Sequence, residues 1–101
     1  MVGQVIRYQG QLRCVAQHGP SGETLTTDAP LDNHGKGEHF SPTDLVATAL
    51  ATCILTTLGI VAQREKINLE GMHAQIEKFM APTAPRRLGR LLLDLTLPLP
   101  A

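Results

Sequence analysis

The residue best suited to chemistry is a cysteine in the middle of a long uncharged run. The run reads Ser41-Pro42-Thr43-Asp44-Leu45 and then VATALATCILTTLGIVAQREK, with Cys53 near its centre. A thiol so placed is either an inert small hydrophobe or a protected nucleophile. No charge occurs from Leu45 to Gln63, so a helix formed here has to bury most of its circumference. At helical spacing Val46, Ala49, Leu50, Thr57 and Ile60 share the Cys53 face. They can serve as helix packing or as the wall of a substrate pocket. A nucleophilic thiol draws thiolate character from a nearby cation or a helix N-terminus. Cys53 is far from the positive end of its own helix, so a cation has to come from another element or a partner chain.

The other reactive residue types are scattered. Cys14 falls in an alternating strand run and reads as a core residue; two thiols make no disulfide framework. His34 and His39, with Asp32 and Glu38, resemble a metal cluster only loosely. They lack a fixed ligand spacing, and loop polarity accounts for them. His39 adjoins the helix start and is a candidate to approach the partner subunit's Cys53. Arg86, Arg87 and Arg90 read as a solvated loop.

Composition narrows the function classes. Nine basic and nine acidic residues cancel, and only Phe40, Phe79 and Tyr8 are aromatic. Neither a phosphate-binding footprint nor a base-stacking surface is expected, so nucleic acid is not an expected partner. The first fifteen residues contain Gln4, Arg7, Gln9 and Arg13 and no apolar signal core. A reducing cytoplasm is the expected location. The apolar run is about as long as a membrane span requires, but it holds Thr48, Thr52, Thr56, Thr57 and Gly59. A buried helix of a soluble protein is the expectation, with no membrane partner.

The elements that position Cys53 follow from local signals. MVGQVIRY and QLRCVAQ flank Gln9-Gly10 and predict a hairpin, with Leu12, Cys14 and Ala16 on one face. After the turn at His18–Gly22, Glu23 to Asp28 is a third strand rich in threonine. Ala29 to Phe40 is a long loop, of the kind that often lines a site. Ser41 as N-cap, Pro42 as first helical residue and Asp44 at the third position form an Asp variant of the capping box. The helix is expected to run to about Lys66, and strands over Asn68–Met80 and Arg90–Leu97 follow. The expected order is β-β-β-α-β-β, an α+β class with antiparallel strands around a long central helix, in a single domain over 1–101. One helix cannot cover so much sheet, which implies a second subunit or further chain.

The stretch GKGEHFSPTDLVATALATC resembles the osmotically induced protein C (OsmC) and organic hydroperoxide resistance (Ohr) superfamily. The likeness continues through ILTTLGIVAQREKINLEGMHAQIEK and PRRLGRLLLDLTLPLP, and GETLTTDAP before the loop also fits. It points to the small, less characterised OsmC-like branch. The resemblance implies an intertwined homodimer with long central helices packed between sheets drawn from both chains. It implies a redox-active cysteine at Cys53 that reduces organic hydroperoxides, an oxidative-stress role, and a small or lipoyl-type dithiol as reductant, with no cofactor. Three features depart from the pattern. The C-terminal helix and strand, with their resolving cysteine, have no counterpart up to Ala101, so the domain reads as C-terminally incomplete. Thr43 stands where peroxidase members carry Glu, and the turn HGPSGE holds no Arg. The alternative on the same fold is a non-catalytic protein that binds a hydrophobic small molecule at the dimer interface.

Overall fold

The computed structural model describes residues 1–98. The chain resolves into two compact units, Met1–Leu45 and a second from Val46 onward. The element order is the expected one: β1 (Gln4–Gly10), β2 (Arg13–His18), β3 (Thr24–Asp28), a short 3-10 turn at Leu31–Asn33, α1 (Pro42–Arg64), β4 (His73–Met80) and β5 (Leu88–Thr96).

In the first unit β1, β2 and β3 form an antiparallel sheet in that order. The β1–β2 turn lies two residues later than the Gln9-Gly10 signal suggests. Gly10, at φ 86°, absorbs a bulge opposite Arg13, and Gln11 and Leu12 take left-handed φ values of 55° and 62°. Two positive φ values suit the right-handed twist of a tight hairpin. Leu12 therefore belongs to the turn, and the face shared by Cys14 and Ala16 is completed by their partners. Cys14 pairs with Tyr8 and Thr27, and Ala16 with Ile6 and Leu25.

The loop after β3 is folded back on the sheet. Asn33 and Gly35 donate to the Pro30 carbonyl, Gly37 to that of Ala29, and Ala29 to that of Leu12. Gly35 is required by close approach, because a Cβ there would run into the Ala29 carbonyl. Thr27 bridges Phe40 in parallel, and Asp28 N–H donates to the Phe40 carbonyl at 3.1 Å. The loop thus delivers the chain to the helix start along the end of β3.

The predicted capping box is present in both directions. Asp44 N–H donates to Ser41 Oγ at 3.1 Å, and Ser41 N–H donates to Asp44 Oδ2 at 2.9 Å. Ser41 is 1% exposed, so the orphan donors of the first turn are satisfied away from water. The helix stops at Arg64, two residues before the expected end, through a Schellman motif. Lys66 turns left-handed (φ 58°), Ile67 N–H reaches the Ala62 carbonyl at 2.8 Å, and Lys66 N–H reaches that of Gln63 at 3.3 Å.

The second unit pairs β4 with β5 as an antiparallel hairpin. β4 starts at His73 and not at Asn68, because Asn68 Oδ1 accepts from Glu70 N–H and Gly71 sits at φ 94°. Ala74, Ile76, Lys78, Met80, Leu88, Leu91 and Leu93 form its half-buried face, while Leu95 and Leu97 stay more open.

The helix is not buried over most of its circumference within the chain. Only Ala47, Ala51 and Ala62 are buried. By length and composition α1 is also apolar enough to cross a membrane.

Candidate functional site

Every pocket residue predicted around the thiol falls on one helix face with it. Val46, Ala49, Leu50, Cys53, Thr57 and Ile60 are all exposed, and each lies within about 60° of Cys53 around the helix at roughly 100° per residue. The buried alanines lie on the opposite side. Cys53 is a free thiol at the centre of an open apolar stripe. Its face ends at Arg64, on the order of 16 Å along the axis, so the helix brings no cation to the sulfur.

The first unit holds a constellation that sequence reasoning missed. Asp28 is 2% exposed and its carboxylate gathers four donors. Arg13 Nε donates to Oδ1 at 2.6 Å, and Oδ2 accepts from Arg13 Nη2 at 2.9 Å, from Glu38 N–H at 3.1 Å and from His39 Nδ1 at 3.1 Å. Arg13 Nη2 also reaches Glu38 Oε1 at 2.8 Å. The Arg13 fork lies opposite Asp28 in the β2–β3 ladder, which sets up the bidentate pair. That guanidinium holds the Asp28 carboxyl well below the usual carboxylate range, against desolvation and with help from His39 and the Glu38 N–H. Asp28 in turn, followed by Glu38, raises Arg13 above its ordinary range. The cluster clamps the loop to the sheet, and through Phe40 it fixes the approach to Ser41. His39, offered above as a group for the partner subunit's Cys53, is engaged with Asp28 through Nδ1. The set is no metal centre: among the described residues no cluster of metal-ligating side chains occurs.

On the other face of the same sheet Cys14 is half-buried. It lines an open groove of about 400 Å³ with Ile6, Ala16, Leu25, Thr27 and Leu45. The basic residues near the C-terminus do not form a site. Arg87 donates to the Thr83 and Pro85 carbonyls at 2.9 Å, and Arg90 lies 4.3 Å from the Phe79 ring centroid.

A three-stranded sheet, one long capped helix and a two-stranded hairpin in this order define the OsmC class of α+β proteins. A family model for OsmC-like proteins matches residues 35–100. A crystal structure from Psychrobacter arcticus 273-4, described provisionally as an osmotic stress induced and detoxification response protein, is 44% identical to this chain. It superposes with a TM-score of 0.93 over 100% of this chain and 73% of that one. Comparison with curated proteins gives no match. The chain belongs to the OsmC-like family, and the matched residues span the loop, the whole of α1 with Cys53, and both later strands.

Proposed function

We propose that the protein reduces organic hydroperoxides through Cys53, working as a homodimer in the cytoplasm with a dithiol as reductant. The observation that carries this reading is the placement of Cys53. It is the one free thiol within the family match, and it is exposed at the centre of an apolar helix face. The detoxification role ascribed to the Psychrobacter relative supports the same class of chemistry. The Cys53 thiolate attacks the distal peroxide oxygen, the O–O bond breaks and the alcohol leaves, so that the sulfur becomes a sulfenic acid. An apolar surround favours organic peroxides over hydrogen peroxide. Two free thiols and no disulfide suit a reducing compartment.

Exposed apolar side chains support the dimer. Val5, Ile6, Tyr8, Leu25, Val46, Leu50, Ile60 and Leu92 are all more than 40% exposed. We assign α1 to a protein neighbour and not to lipid, because its Ala47, Ala51 and Ala62 side is already buried in the chain.

Intact mass after a brief pulse of cumene hydroperoxide tests the activity, with Cys53→Ala as control. A rapid gain of one oxygen, or a loss of two hydrogens per disulfide, that disappears in Cys53→Ala is the expected result. A mass unchanged by the pulse would remove the peroxidase reading. It would leave the fold as a binder of hydrophobic small molecules, a reading to which the apolar groove beside Cys14 gives a location.

A further inference from the structure

We draw no further inference here: the strongest candidate, the open apolar groove of about 400 Å³ that Cys14 lines with Ile6, Ala16, Leu25, Thr27 and Leu45 on one face of the first sheet, rests on a lone cysteine and an unpartnered sheet face, and nothing in the structure shows what covers it.

Discussion

If the surface left open on each chain is covered by a second copy, unfolding is coupled to dissociation and the melting temperature depends on concentration. Raising protein from 1 to 100 µM stabilises such a dimer by roughly 2.7 kcal/mol through mass action. Two chains of 101 residues carry an unfolding entropy on the order of 0.4 kcal/mol per kelvin, so the melting temperature should rise by about 6 °C. Ile60 sharpens the test, because 59% of it is exposed in the chain and the dimer reading has a second copy covering that part. Covering it is worth roughly 1.5 kcal/mol per subunit. Ile60→Ala should therefore lower the melting temperature by about 7 °C at fixed concentration. It should also shift sedimentation equilibrium toward one chain. Circular dichroism melts across that concentration range decide the matter. A midpoint independent of concentration, with Ile60→Ala melting like the parent, would refute the reasoning from exposed area.

Two further outcomes concern the first unit. Ser41→Ala removes the acceptor of the Asp44 N–H at a buried helix start; it should cost about 1 kcal/mol, or roughly 5 °C in the melt, and Ser41→Asp should recover part of it. Asp28, with its carboxyl held low in the folded chain, contributes stability that is present above the ordinary carboxylate range of about 4 and is lost as pH falls below it. Asp28→Asn should therefore destabilise at neutral pH and flatten the acid limb of a melting-temperature profile. A parallel downward offset at every pH would show that the ionised carboxylate is not what Arg13 and His39 hold.

The helix start and the helix face were legible because local rules decide them. Ser41, Pro42 and Asp44 satisfy the first turn by themselves, and the 3.6-residue period places Val46, Ala49, Leu50, Thr57 and Ile60 beside Cys53 without any tertiary information. The strand order followed from alternation, but the ends did not. Gln11 and Leu12 adopt left-handed backbone without glycine, and Lys66 serves as a left-handed helix stop where Gly or Asn is usual. The clamp on Asp28 was hidden for a different reason. It joins residues 13, 28, 38 and 39, and only the ladder register relates the first two. That register could have been found: a turn centred between Pro20 and Ser21 steps outward to pair Arg13 with Asp28, seven residues on either side.

The expectation of a helix buried on most of its circumference rested on composition, and composition does not say whose surface does the burying. A run with no charge from Leu45 to Gln63 requires cover, yet the chain provides it only along Ala47, Ala51 and Ala62. The Cys53 side carries larger apolar groups at Val46, Leu50 and Ile60, each of them exposed. The fully buried positions of the helix are alanines, while Val46, Leu50 and Ile60 stay exposed. The same exposure bears on the thiol. The best-formed cation site in the first unit, Arg13, is bound to Asp28 and Glu38, so support for a thiolate has to come with whatever covers the helix. On this argument assembly and reactivity at Cys53 are one property, and a variant such as Ile60→Ala that weakens pairing should slow the thiol in the same proportion as it populates the single chain.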